Sequence, residues 1–166
     1  MRAGIALGSN LGDRLGTLSN ARREIEQLLD IEPPTLASAV YETQPVGCEP
    51  GAPEFLNAVI EVGYTGAARE LLEQLRQIES ALGRPAAHAR NTSRTVDLDL
   101  LYFGDMQLAD PDLQLPHPRM HERRFVLEPL HDIRPELVLP RHGQSVAQLL
   151  ARLPATEPLV RVASQW

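Results

Sequence analysis

The stretch Arg94-Thr95-Val96-Asp97-Leu98-Asp99-Leu100-Leu101-Tyr102-Phe103-Gly104 reads as a buried β-strand with two carboxylates near its start. Side chains alternate faces along a strand, so Asp97 and Asp99 point the same way, their Cα atoms roughly 6–7 Å apart. Val96, Leu98 and Leu100 share the other face and can enter a core. Two like charges side by side on a core strand are costly unless something neutralises them. A pair of Mg²⁺ ions carrying phosphates would do so, because Mg²⁺ takes one or two carboxylates and leaves other positions for phosphate oxygens. Arg94 could contact the same phosphates. For an isolated Asp-x-Asp pair, an edge strand with a solvated acidic face is the better reading, so the rest of the chain has to decide.

Upstream of this strand lies a polar, arginine-rich loop over 84–94, preceded by a helix over about 66–82. Leu71, Leu72, Leu75, Ile78 and Leu82 form the apolar stripe of that helix, and Gly83 suits its C-cap. Phe55 to Tyr64 reads as a long strand with Leu56, Ala58, Ile60 and Val62 on one face. Before it come a strand over Ala37 to Thr43 and a Pro- and Gly-rich loop from Gln44 to Pro53. A strand over 2–7 and a helix over about 14–30, stopped by Pro33-Pro34, complete the order β-α-β-β-α-β. That order specifies an α+β fold, the ferredoxin-like split βαβ arrangement with helices packed on an antiparallel sheet. After Gly104 the chain is punctuated by proline, with short helices expected near 119–124 and 144–152 as additions to one domain spanning 1–166. No function is legible in residues 153–166.

The 166 residues are 43% hydrophobic and 23% charged, as in ordinary globular chains long enough for a real core. A formal net charge of −6 argues against a general nucleic-acid surface. Two basic clusters survive that average: Arg84, His88, Arg90 and Arg94, then Arg119, Arg123 and Arg124 with His117 and His121. They suit a small polyanion such as a nucleotide. The single cysteine, Cys48, excludes an intramolecular disulfide and a cysteine metal site. Without a signal-like start or a long apolar run, the expectation is a cytoplasmic protein with no membrane partner, and the Asn91-Thr92-Ser93 sequon is read as chance.

Gly8-Ser9-Asn10-Leu11-Gly12 is neither a dinucleotide fingerprint nor a Walker A loop, and a tight strand-to-helix turn with Ser9 or Asn10 as cap explains it. Tyr41 to Gly47 with Phe55-Leu56-Asn57 brings together a hydroxyl, an amide and an aromatic ring, a combination suited to a heterocycle or to ordinary loop chemistry. His117 and His121 lie four apart, but too few further ligands accompany them for zinc. Arginine density there favours polyphosphate or a solvated basic helix equally. Nothing local supports a Ser-His-Asp or Cys-His arrangement.

Five segments in order, GSNLGDR (8–14), YETQPVG with FLNAVIEV (41–62), LLEQLRQIESALGR (71–84), SRTVDLDLLYFG (93–104) and LPHPRMHERRFVLEPL (115–130), carry a family resemblance. Together the chain resembles the 6-hydroxymethyl-7,8-dihydropterin pyrophosphokinases of folate biosynthesis from residue 2 to about residue 150. The resemblance implies a ferredoxin-like monomer that transfers the β,γ-diphosphate of ATP to the pterin hydroxymethyl group, giving AMP. It implies Asp97 and Asp99 as ligands of two Mg²⁺ ions, and Thr43, Val46, Phe55, Asn57 and Phe125 as pterin-binding residues. Glu79, Arg84, Arg94, Leu100, His117 and Arg123 would face ATP, and Arg84, Arg90 and Arg94 would join the two aspartates in catalysis. Small molecules are the implied partners, with no nucleic acid.

The chain departs from the family pattern at Asn91, where some relatives carry an aromatic residue, at Ala86 and Asp112, where some carry arginine, and at Asn91-Thr92-Ser93, where a Gly-Pro pair is frequent. These departures keep a slower, ligand-binding relative as an alternative. A ferredoxin-like RNA-binding module is a second one, disfavoured by the net charge and by only three Phe and three Tyr.

Overall fold

The computed structural model describes residues 1–45, 51–83, 95–155 and 159–166. Its elements run β1 (Arg2–Ser9), α1 (Arg14–Glu26), β2 (Ile31–Ala37), β3 (Val40–Thr43), β4 (Phe55–Tyr64), α2 (Ala68–Ala81), β5 (Asp97–Phe103), β6 (Leu108–Ala109), β7 (Gln114–Leu115), a 3₁₀ turn (Met120–Glu122), α3 (Arg124–Ile133), α4 (Val146–Arg152) and β8 (Leu159–Ala163). The main sheet has the order β5-β1-β4-β3-β8, with β2 also paired to β4 and every pairing antiparallel. β2 and β3 lie end to end along β4, so the four-position order β5-β1-β4-β2/β3 is that of a split βαβ pair. The fold class expected from the sequence is therefore the one observed.

Period-two alternation sorts the sheet into two cores. Ala3, Ile5 and Leu7 of β1 and Leu56, Ala58, Ile60, Val62 and Tyr64 of β4 pack under α1 and α2. There Leu71, Leu75 and Ile78 of α2 are buried, each worth roughly 1.5–3 kcal/mol. Val59, Leu101 and Tyr102 face the other way, under Val126, Leu127 and Leu130 of α3 and Val146, Leu149 and Leu150 of α4. The register of β1 against β5 slips between Gly4 and Ile5, which leaves Leu101 without a partner. This bulge resets the alternation. Before it, Asp97, Asp99 and Leu101 share the α3 face and Val96, Leu98 and Leu100 enter the first core; after it, Tyr102 joins the α3 side and Phe103 the first core. Among the described residues, helices pack on both faces of the sheet.

Several elements differ from the sequence reading, for physical reasons. The first helix stops at Glu26 rather than near 30, and the Pro33-Pro34 pair sits inside β2. The register of β2 slips between Glu32 and Leu36, and a bulged edge is where prolines without an N–H are tolerated. The expected strand from Ala37 to Thr43 is instead two strands meeting at Ser38-Ala39. Near 119–124 there is a single 3₁₀ turn, and a ten-residue helix follows it with Pro129 inside. The buried face of Val126, Leu127, Pro129 and Leu130 outweighs the missing hydrogen bond. Neither Ser9 nor Asn10 caps α1; Asp13 does, its Oδ1 accepting from Gly16 N–H at 3.0 Å. β8, unread in the sequence, adds a strand beyond β3.

Candidate active site

Four strand ends meet on the α3 side of the sheet. In register, Asp97 of β5 lies across from Gly8 of β1, Gly8 across from Asn57 of β4, and Asn57 across from Tyr41 of β3. Paired residues project to the same face, so these four form one row running across the sheet. Strands are spaced about 4.8 Å apart, which puts the Asp97 and Asn57 main chains roughly 10 Å apart with only Gly8 between them. A Cβ on Gly8 would come within 3.2 Å of Asn57 Oδ1 and 3.9 Å of Asp97 Cβ. Gly8 therefore forms the floor of a trough with a carboxylate on one bank and an amide on the other.

On the amide bank, Asn57 Nδ2 donates to Thr43 Oγ1 at 2.7 Å, and both residues are 8% exposed. That bond fixes the amide orientation and leaves Oδ1 turned over Gly8. Phe55 begins β4 next to them. The chain leading into it is tied down by Asn10 Nδ2 on Pro53 O (3.3 Å) and by Arg14, which donates to Glu54 O and pairs with Glu42, both at 2.8 Å.

On the acidic bank, Asp99 has a side chain 40% exposed, and Arg123 Nη1 approaches its Oδ2 at 3.8 Å. Arg123 precedes α3, and its guanidinium also lies 5.5 Å from the Phe125 ring centroid. The start of α3 thus lies by the acidic bank. His117 lies near Asp97 and Arg123, held by its N–H on Leu101 O at 2.7 Å. Burial, with help from Arg123 and Arg119, pushes its imidazole down to about 4, so it is neutral at working pH. Arg119 N–H donates to His117 Nδ1 at 3.3 Å, which places the ring proton on Nε2 as a neutral donor. A cavity of about 260 Å³ lined by Leu108, Gln114, Pro116, Pro118, Arg141 and His142 includes none of these site side chains in its wall.

Glu79 of α2 is buried, and its Oε1 accepts Leu98 N–H at 2.7 Å on the outer edge of β5. Leu100 is 4% exposed in the first core, so its side chain is closed to a nucleotide and only its main chain on that edge strand remains. Asp112 is exposed before β7. Val46, Arg84, Arg90 and Arg94, with Ala86 and Asn91, lie outside the described residues. Gly8 is the site residue that the sequence reading passed over. Its signal was a glycine at the end of an apolar strand, where a close approach is needed.

Among the described residues no three His, Cys, Asp or Glu side chains cluster. Two part-exposed carboxylates on one face beside an empty glycine position suit Mg²⁺, which keeps positions for water and phosphate. The donor set therefore fits that ion.

Residues 4–135 match the family model described as 7,8-dihydro-6-hydroxymethylpterin-pyrophosphokinase. The chain belongs to that family. It is 45% identical over 129 residues to the 2-amino-4-hydroxy-6-hydroxymethyldihydropteridine pyrophosphokinase of Bacillus subtilis (strain 168), covering 78% of this chain and 75% of the relative. The protein of the same name from Methylorubrum extorquens is 38% identical over 152 residues, 92% of this chain and 93% of the relative. Among solved structures, wild-type Plasmodium falciparum HPPK-DHPS with SDX-DHP shares the fold at a TM-score of 0.72 and 12% identity. The match covers 91% of this chain and 44% of that one, so the present chain spans under half of the longer protein. Membership makes this chain an enzyme, a pyrophosphokinase of the folate-biosynthesis family.

Proposed function

We propose that the enzyme moves the β,γ-diphosphate of ATP onto the hydroxymethyl oxygen of 6-hydroxymethyl-7,8-dihydropterin. The hydroxyl oxygen attacks the β-phosphorus and loses its proton, the bond from that phosphorus to the α,β-bridging oxygen breaks, and AMP leaves with the bridging oxygen. The observation that carries this reading is the row Asp97–Gly8–Asn57, which sets a metal-suited carboxylate and a heterocycle-reading amide on opposite sides of an open floor.

Asn57, its amide oriented by Thr43, accepts from and donates to the amide-like edge of the pterin, and Phe55 and Phe125 supply apolar ring surface with Val46. This holds the hydroxymethyl arm over Gly8, pointing to the acidic bank, so that binding energy is spent on orientation. Asp97 and Asp99 would hold two Mg²⁺ ions. When bound, these would neutralise the triphosphate and acidify the attacking hydroxyl. Arg123 and the Nε2–H of His117 would donate to phosphate oxygens, Glu79 and the Leu100 main chain would line the nucleotide side, and Arg84, Arg90 and Arg94 would add positive charge. The reading takes the enzyme as a cytoplasmic monomer acting on small molecules, without nucleic acid or membrane. Among the described residues, no helix is long and apolar enough to cross a membrane.

Incubation with ATP, Mg²⁺ and the hydroxymethyl-dihydropterin should yield AMP and the pterin diphosphate. ADP as nucleotide product would contradict diphosphoryl transfer. Asp99→Asn should lower turnover by about a hundredfold or more with an unchanged melting curve. Near-normal turnover in that variant would remove the metal assignment.

A further inference from the structure

Tyr41 continues the transverse row beyond Asn57, toward Arg161 of β8, yet nothing in the proposed chemistry uses it. Its ring is 8% exposed, and its hydroxyl donates to the Asp132 carboxylate in the last turn of α3, 3.0 Å from Oδ1 and 2.9 Å from Oδ2. The same carboxylate accepts Ala39 N–H at 3.1 Å. Burial first, then Asp132, pushes the Tyr41 hydroxyl up to about 12, with Glu128 adding to the effect and Arg161 opposing it. The hydroxyl thus stays protonated and donates to Asp132.

The placement of this pair gives it a consequence at the trough. Tyr41 precedes Thr43 by two residues on the same strand face, and it sits across from Asn57. Asp132 follows Phe125 by seven residues, two turns along the same side of α3, or roughly 10 Å. One end of the pair is therefore fixed to the strand that orients the amide bank, and the other to the helix that presents Phe125 and follows Arg123. The apolar contacts of Val126, Leu127 and Leu130 resist separation of α3 from the sheet but are non-directional. A directional, charge-assisted hydrogen bond resists sliding along the helix axis, where one residue of slip is 1.5 Å. Such slip moves Phe125 relative to Asn57.

We propose that Tyr41 and Asp132 form a positioning clamp that sets the gap between Phe125 and the Thr43–Asn57 pair, and so the enzyme's hold on its pterin. The inference rests on the pterin reading of those residues. It assigns to Tyr41 and Asp132 a role in substrate specificity without contact with substrate.

The test compares Tyr41→Phe, Asp132→Asn and Phe125→Ala with the parent enzyme in steady-state kinetics and pterin-binding titrations. Tyr41→Phe keeps the ring and deletes only the hydroxyl. It should raise KM for the pterin about tenfold and change KM for ATP less than about twofold. Asp132→Asn keeps an acceptor oxygen and should fall between Tyr41→Phe and the parent. A purely structural role would lower the amount of active enzyme and leave both KM values alone. Equal shifts for both substrates, or an unchanged pterin KM in Tyr41→Phe while Phe125→Ala weakens the pterin, would overturn the clamp alone. If Phe125→Ala leaves pterin binding intact, the pterin reading falls and the clamp with it.

Discussion

At His117 the fold turns a side chain that titrates near neutrality into a fixed neutral donor. Burial lowers its pKa to about 4, and the Arg119 N–H selects the tautomer. In the unfolded chain the same imidazole titrates near its usual value of about 6.5. Below that pH the unfolded state binds a proton that the folded state refuses, so stability falls as pH drops from about 6.5 to about 4 and then levels off. The displacement corresponds to a loss on the order of 3 kcal/mol. Urea midpoints at several pH values should show the parent losing more over that window than His117→Gln. Parallel curves for the two proteins would contradict the buried neutral state. At this scale the Asp97–Asp99 pair was legible, because period-two alternation in an apolar strand needs no tertiary information. The value of His117 was not, since its burial and its neighbours Arg123 and Arg119 arise from packing.

Among the elements, α3 and the joined strands β2 and β3 depend most on context. The Ser38-Ala39 joint breaks the edge strand, yet each of its backbone groups finds a partner. Ser38 N–H donates to Val59 O, Ala39 N–H donates to Asp132, Trp166 Nε1 donates to Ser38 O, and the Ser38 hydroxyl donates to Ala39 O. Glu61 of β4 is fully buried and collects Arg2 (2.8 Å), Arg134 (2.9 Å) and the Tyr102 hydroxyl, joining β1, β4, β5 and the end of α3. Glu61→Gln would strand two guanidiniums, each about a third exposed, and should cost roughly 2 kcal/mol. Removing Glu128, which pairs with Arg124 one turn away on α3 with both side chains about a quarter exposed, should cost under about 1 kcal/mol. Equal losses by denaturant unfolding would mean that burial of Glu61 adds nothing. Long amphipathic α2 and alternating β4 were readable because their periodicity agrees with their packing. Helix α3 was missed because Pro129 opposes it locally, and only packing against the sheet beneath overcomes that local cost.

Across the whole molecule, the last eight residues close the edge of the sheet. β8 pairs with β3, Trp166 bonds Ser38 O at 2.8 Å, and Arg22 of α1 stacks 5.3 Å from the Trp166 ring. Deleting residues 159–166 should leave the two cores and their helices in place but lower Tm by roughly 5–10 °C. An unchanged Tm in a calorimetric scan would show that the strand contributes nothing. The amino-acid sequence by itself determined the order of strands and helices, the fold class and the shared face of Asp97 and Asp99, because those follow from residue periodicity and chain order. Tertiary structure alone decided which other residues join that face. Gly8, Tyr41, Asp132 and His117 come from separate segments and gain their roles only where antiparallel register and helix docking bring them to one end of the sheet.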